Sequence, residues 1–381
     1  MTLLNLSPIF PLYYNGSTLF RPIHVSDMTE IIYKMVSKEL KSITLECIGP
    51  EEISLKNNFS QIQGQMSSKS RVPTISEIAE RAGVARSSVS RAFTRPELLS
   101  ATTVLRIKRV AEELGYVPNS SARALSTGKT GNIAFLVPDV ANPYFPPMIQ
   151  SAQLAAENLD FCVFLADFEE SGLKEEKLIE RFAGKVEGVI LISSRMPEDR
   201  FQGLVEKIPI VLVNRDVQGI PRVLIDAGSS LKQAVRLLAH QGHQEIAYLS
   251  GPSVTWTNKQ RQAAISEMTN ELGLQLVVIP TEKPSLESGQ AVVDQMMSSG
   301  VTGAIAFNDL IAHGIMTELS SQALEVPDSF SIVGCDNSIS PFTNPPLTSV
   351  SNETTEAGKI ACEMIMGLLG ETNSKNNQII V

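Results

Sequence analysis

Apolar residues recur at spacings of three and four over 75–82, where Ile75, Ile78, Ala79 and Ala82 share one face. Thr74 followed by Glu77 is a capping-box start, in which each side chain satisfies a backbone amide of the other residue. Gly83 supplies a tight turn, since a positive φ brings it no Cβ clash. The helical period resumes over Arg86 to Phe93, with Val89, Ala92 and Phe93 inward and Arg86, Ser87, Ser88, Ser90 and Arg91 outward. A third helix has Ser100 as N-cap and a stripe of Val104, Ile107, Val110, Ala111 and Leu114; Gly115 ends it, with Pro118 beyond. Three short helices around one small core, the second bearing cations and hydroxyls, are what a helix-turn-helix presents to a DNA major groove.

From Asn132 the rhythm changes. NIAFLVPDV, FCVFLADF, GVILIS and PIVLVNRD read as buried parallel strands separated by amphipathic helices. After RVLID a second set follows: IAYLSGP, LQLVVIPTE, GAIAFND and SIVGCDN. Near-continuous Val/Ile/Leu runs alternating with helices predict parallel sheets covered on both faces. Two such sets predict an α/β body of two doubly wound lobes with a cleft between them, and ligands in such folds sit beyond the carboxyl ends of the strands. Polar and aromatic residues gather at those ends: Asn142, Tyr144 and Phe145; Asn214 and Arg215; Thr257 and Arg261; Asn308; and Asp336. One Arg and one Asp can hold paired hydroxyls while a ring covers an apolar face, chemistry suited to a polyhydroxylated or planar polar ligand. Asp309 is expected to cap the helix that follows it.

Charge changes the picture. The 381 residues carry a net charge of −9, which by itself argues against a DNA binder. Residues 71–130, however, hold ten basic and five acidic side chains, a net +5, which leaves −14 for the remainder. A basic head on an acidic body confines phosphate binding to one end. The four cysteines (Cys47, Cys162, Cys335, Cys362) have neither disulfide nor metal-ligand spacing and read as buried thiols. His240 and His243 lie three apart around Gly242 without a third ligand, so a helix C-terminus is expected there rather than a metal. GKT at 128–130 is not a phosphate loop, because Arg123 stands where the first glycine of that loop belongs. No Gly-x-Ser-x-Gly elbow marks a nucleophile. No apolar run spans a bilayer and no secretory leader is legible, so a cytoplasmic, metal-free and cofactor-free protein is expected.

GVARSSVSRAF and LLSATTVLRIKRVAEELGYVPNSSARALSTGKT resemble the headpiece of the lac-repressor (LacI/GalR) family of bacterial transcription regulators, and the resemblance runs over about 71–381. It implies a helix-turn-helix domain at 71–117, a hinge at 118–131 and an effector-binding, dimerising body at 132–381, similar to periplasmic sugar-binding proteins. It further implies that SSARALS becomes a hinge helix on DNA, paired with its dimer mate, with Leu125 wedging into the minor groove beside Ala122. Arg86, Ser87 and Ser88 are the expected base readers, and Thr74, Arg91, Thr103 and Asn119 the expected phosphate contacts. Tyr144, Phe145, Asn214, Thr257, Arg261, Asn308 and Asp336 form the expected effector set, and Trp256 either lines the cleft or covers its rim.

The pattern departs from that family at Ala85, where a capping Ser is usual, and at the last residues, where the final strand looks cut short. Residues 1–70 stand outside it. GSTLFRPIHVSDMTEIIYKMV and ITLECIGPEEISLK resemble the late part of extended short-chain dehydrogenase/epimerase proteins, without a dinucleotide fingerprint or a Tyr-x-x-x-Lys pair. They read as a fusion remnant, with 57–70 as linker. The expected function is that of a homodimeric repressor of a pseudo-palindromic operator, controlled by a small molecule of the sugar class. One alternative is a ligand-binding protein that has lost DNA binding through fusion and truncation; another is an NAD(P)-linked enzyme resting on 13–56.

Overall fold

The structure is a computed structural model that describes residues 73–117, 128–372 and 377–381, together with the backbone of 12–14 and 17–19. Those last two segments are short antiparallel strands, β1 (Leu12–Tyr14) and β2 (Ser17–Leu19). The chain divides into two units, Met1–Pro118 and Asn119–Val381.

In the first unit, α1 (Ile75–Ala82) begins with the expected box: Glu77 N–H donates to Thr74 Oγ1, and Thr74 N–H donates to the Glu77 carboxylate at 2.8 Å. Gly83, at φ +64°, ends it. Helix α2 (Arg86–Thr94) starts at Ala85, whose side chain caps nothing. Helix α3 (Ala101–Glu113) starts at Ser100, whose hydroxyl accepts from Thr103 N–H. Ile78, Val89 and Ile107, one from each helix, are fully buried and centre the core. Phe93 and Tyr116 lie against it with ring centroids 5.8 Å apart. Val104 and Leu114 are half-buried, because they sit at the edges of the α3 stripe.

The second unit alternates strands and helices. In chain order they are β3 (Asn132–Val137), α4 (Pro146–Glu157), β4 (Cys162–Asp167), α5 (Gly172–Phe182), β5 (Gly188–Ile192), α6 (Phe201–Val205), β6 (Ile210–Val213) and β7 (Arg222–Leu224). The chain then enters α7 (Gly228–His240), β8 (Glu245–Ser250), α8 (Trp256–Leu272), β9 (Gln275–Pro280), α9 (Leu286–Ala291) and α10 (Val293–Ser298). It continues through β10 (Gly303–Ala306), α11 (Asp309–Ser321), β11 (Ser331–Asp336), β12 (Thr348–Ser351), α12 (Thr354–Leu368) and β13 (Gln378–Ile380).

Two parallel sheets result. The first has the order β13-β7-β6-β5-β3-β4 and the second β12-β11-β10-β8-β9. Each is doubly wound, with its switch point beside its own first strand, β3 or β8. The runs of apolar residues are explained by burial on both faces. Ile133, Phe135 and Val137 of β3 meet α4 and α12, while Ala134 and Leu136 meet α5 and α6. In the second lobe α10 and α11 cover one face, with α9 packed closely on α11, and α7 and α8 cover the other. The chain crosses between lobes after β7 and returns after β12, when α12 packs on α4. That crossing is close: a Cβ on Gly358 would collide with the Met148 carbonyl oxygen.

Several expectations need correction. FCVFLADF and LQLVVIPTE are strands but not buried ones: β4 and β9 lie at sheet edges, with Phe164 and Leu165 41% and 43% exposed and Val278 38%. For the same reason Cys162, the first residue of β4, is exposed, while Cys335 and Cys362 are buried. Cys47 lies outside the described residues. Strand β12, with the sequence Thr-Ser-Val-Ser, carries no apolar run and was not foreseen; it exists because β11 offers it an edge. Residues 378–380 do form a strand, parallel to β7, and Val381 N–H extends the ladder to Leu224 O at 2.9 Å.

Candidate functional site

The outer face of α2 places Arg86, Ser87 and Arg91 in solvent, with Ser88 half-buried. Thr74 and Thr103 are tied locally: the Thr74 hydroxyl belongs to the capping box, and the Thr103 hydroxyl bonds Ser100 Oγ at 2.8 Å. Asn119, Ala122 and Leu125 lie outside the described residues, as does the expected hinge helix.

In the second unit the two sheets point their carboxyl ends at a common cavity of about 30 Å³, room for two or three waters. Its walls include all seven residues expected to hold an effector: Tyr144, Phe145 and Asn214 from the first lobe, and Thr257, Arg261, Asn308 and Asp336 from the second. Strand-end backbone aims them. Glu170, Ser193, Asn214 and Asp336, all in the lining, have φ of +58°, +46°, +53° and +106°, a backbone region uncommon for non-glycine residues.

The polar groups differ in what they have left to offer. Asn214 spends its amide inside the protein: Nδ2 donates to Tyr144 Oη at 2.9 Å, and Oδ1 accepts from Ile225 N–H at 3.0 Å. Tyr144 Oη therefore accepts from Asn214 and keeps its own proton to donate, and burial pushes that proton's pKa further up. Asn308 is likewise committed, accepting from Ile311 N–H at 3.0 Å as the cap of α11 and donating to Pro284 O at 3.2 Å. The cap is therefore Asn308, not Asp309. Asp309 instead accepts from Ser338 N–H at 2.7 Å and from the Ser349 hydroxyl, and so fastens the loop after β11.

Arg261 and Asp336 form the buried charge pair of the second lobe, Nη2 to Oδ1 at 2.8 Å, with side chains 4% and 6% exposed. Asn352 adds a donor to the same oxygen at 2.9 Å. The guanidinium lies 4.8 Å over the Phe307 ring and also donates to the Phe307 carbonyl. Gly251 makes room for that ring, since a Cβ there would stand 2.6 Å from it. Burial pushes the Asp336 carboxyl up to about 6, against the opposing pull of Arg261. Two buried lining atoms, Arg261 Nε and Thr257 Oγ1, have no hydrogen-bond partner. An unpaired buried polar atom is costly to the fold, and both of these residues line the cavity.

Other lining residues were not foreseen: Glu170, Ser193, Arg195, Thr255, Pro284 and Phe307. Ser193 and Phe307 directly follow β5 and β10 and lie in the last residues of the predicted strands GVILIS and GAIAFND, so their place at a strand end was the signal for both. Trp256 opens α8 but does not line the cavity. His240 does close α7, whereas His243 bonds Thr302 Oγ1 at 2.7 Å. Among the described residues no group of His, Cys, Asp or Glu is arranged to hold a metal, and no helix is long and apolar enough to cross a membrane. Arg215 ties the lobes together, donating to Met196 O at 3.0 Å in the first and to Val254 O at 3.3 Å in the second.

A three-helix head of helix-turn-helix form and a two-lobed body with a polar cavity define a ligand-responsive DNA-binding regulator. Residues 74–119 match the model of bacterial regulatory proteins of the lacI family, and 235–381 match that of the periplasmic binding protein-like domain. The HTH-type transcriptional regulator DegA of Bacillus subtilis is 30% identical over 297 residues, spanning 75% of this chain and 88% of DegA. The transcriptional repressor CytR of Escherichia coli is 27% identical over 305 residues, 77% of this chain and 89% of CytR. The lac repressor dimer bound to operator and an anti-inducer superposes with a TM-score of 0.70 at 22% identity, over 81% of this chain and 97% of that one. A complex of the regulator CelR with cellobiose gives 0.60 at 26% identity, over 81% and 97%. The chain belongs to the lacI family of transcription regulators. The dehydrogenase resemblance at 13–56 gains no support from these matches and, apart from five strand residues, lies outside the described residues.

Proposed function

We propose that the chain is a homodimeric, cytoplasmic, non-enzymatic repressor whose grip on a pseudo-palindromic operator is controlled by a small polyhydroxylated effector, a sugar or a nucleoside. The observation that carries the reading is the cavity between the lobes, where Arg261 and Thr257 hold unpaired buried donors beside Tyr144 and Asp336. Domains run as 71–117 for DNA binding, 118–131 for the hinge and 132–381 for effector binding and dimerisation. Arg86, Ser87 and Ser88 read base edges; Thr74, Arg91, Thr103 and Asn119 contact phosphates; Ala122 and Leu125 act in the minor groove.

A cavity holding only two or three waters admits such an effector only if the lobes part, so binding and lobe movement are one event. The lobe that moves carries one end of the Arg215 tie with it, and pairing of the hinge segments follows. The second copy covers the α4 side of the β4 edge, where Leu154 (57%) and Leu165 are exposed. Loss of DNA binding is not favoured, since the head keeps its capping box, its turn and a closed core.

The test is selection from random-sequence DNA by the full chain at physiological salt, repeated with sugars and nucleosides. A recovered palindrome whose enrichment falls with one of them supports the reading. Recovery of bulk, salt-sensitive binding alone overturns it.

A further inference from the structure

The ligand cavity has a second charge pair on its other wall. Arg195 Nε meets Glu170 Oε2 at 2.5 Å, with side chains 8% and 17% exposed, and both residues line the cavity. Arg195 is held from three sides: its backbone N–H donates to the buried Glu175 carboxylate at 2.8 Å, its Nη1 donates to the Ser193 carbonyl, and its Nε holds Glu170. Glu170 and Pro284 also border a second chamber of about 250 Å³, so the two spaces adjoin. The walls of that outer chamber carry Asp139, Asp167, Glu169 and Glu170 from the first lobe and Lys283 from the second.

We infer that the effector site, accepted as such on the reading above, has two subsites: an inner one at Arg261–Asp336 and an outer one at Arg195–Glu170. Its ligand is an uncharged polyol longer than one sugar ring, and phosphorylated sugars are excluded. A guanidinium beside a carboxylate offers donor and acceptor edges side by side, which matches two neighbouring hydroxyls. Two such pairs in adjoining chambers suit a molecule with hydroxyls at both ends. A phosphate would find both lining guanidiniums already matched by carboxylates. To bind, it would have to displace Asp336 or Glu170 from a buried pair, which is strongly unfavourable. In the outer chamber it would face three further carboxylates across from Lys283.

The experiment is calorimetric titration of the full chain with glucose, ribose, cellobiose, maltose and lactose, and with glucose 6-phosphate, ribose 5-phosphate and trehalose 6-phosphate beside trehalose. The expected result is that a neutral disaccharide binds at least tenfold more tightly than its monosaccharide unit, with no phosphate form matching its neutral parent. In Glu170→Gln, disaccharide affinity falls at least tenfold and monosaccharide affinity less than threefold, the latter showing that the inner subsite is intact. A phosphorylated sugar binding as tightly as its parent overturns the inference. So does a monosaccharide equal to every disaccharide, or a Glu170→Gln loss shared equally by both. If no sugar binds while the chain still selects a palindrome, the sugar reading of the cavity fails, and this inference falls with it.

Discussion

Arg86 and Arg261 are the same residue put to opposite uses. Arg86 stands at the start of α2 in solvent, with room to move and its donors uncommitted to any buried partner. Arg261 is 3% exposed, held by Asp336 and the Phe307 carbonyl, and stacked on a ring. The head keeps the side chains proposed to read DNA outside a small apolar core, so they are dispensable for folding. The cleft builds the side chains proposed to hold an effector into the fold, so on that reading stability and recognition are coupled there. This difference follows from what each contacts: a phosphate-lined groove comes to the surface, whereas a small polar effector has to be surrounded.

The comparison breaks most visibly at Arg261. Arg261→Ala strands the Asp336 carboxylate in the interior and is expected to remove about 3–5 kcal/mol from the body, read by urea unfolding. A loss under about 1 kcal/mol would mean the pair is not desolvated as the structure shows.

Glu175 sharpens the same point through pH. It is fully buried under Ser194 and Arg195, and burial pushes its carboxyl from 4.5 up to about 7, against the pull of those two donors. A carboxyl raised on folding stabilises fully below its unfolded value, and that contribution fades as pH rises through its folded value. Stability should therefore decline between about pH 4.5 and 7 by about 3 kcal/mol, and Glu175→Gln should flatten the decline. An unchanged slope in the variant would assign it to other groups, Asp336 first among them.

In the head, Ile107→Ala should remove about 2–5 kcal/mol by opening a cavity among Ile78, Val89 and Ile107. Arg86→Ala should leave unfolding within about 0.5 kcal/mol of the parent. Its expected effect is on DNA, about 1–3 kcal/mol of preference at a single base pair in a binding-site titration. Equal weakening at every sequence would make Arg86 a phosphate contact. The smallest change is a gain: Ala85→Ser supplies the cap that α2 lacks and should stabilise the head by about 0.5–2 kcal/mol.

Much of this was legible in the chain itself. The capping box at Thr74 and Glu77, the Gly83 turn and the Ser100 cap are local devices, each closed within four residues. Six of the eight predicted strands, β3, β5, β6, β8, β10 and β11, could be read because burial on both faces leaves a continuous apolar run. The exceptions fail for one reason. Strands β4, β9 and β12 are shaped by their place at a sheet edge, and edge position is a property of the sheet, not of the segment.

The seven expected ligand residues show the same division. That Arg261 and Asp336 belong to one wall could be anticipated, because strand-end polar residues in doubly wound folds converge. That Asn214 serves Tyr144, that Asn308 rather than Asp309 caps α11, and that Arg195 meets Glu170 across 25 positions could not. Each depends on a side chain choosing among partners brought together only when the loops after separate strands pack. Periodicity, caps and turns are local free energies, so the sequence alone determined the helices, most strands and the order of domains. Which polar groups are consumed by the fold and which are left for a ligand is settled by long-range packing, and only the tertiary structure decided it.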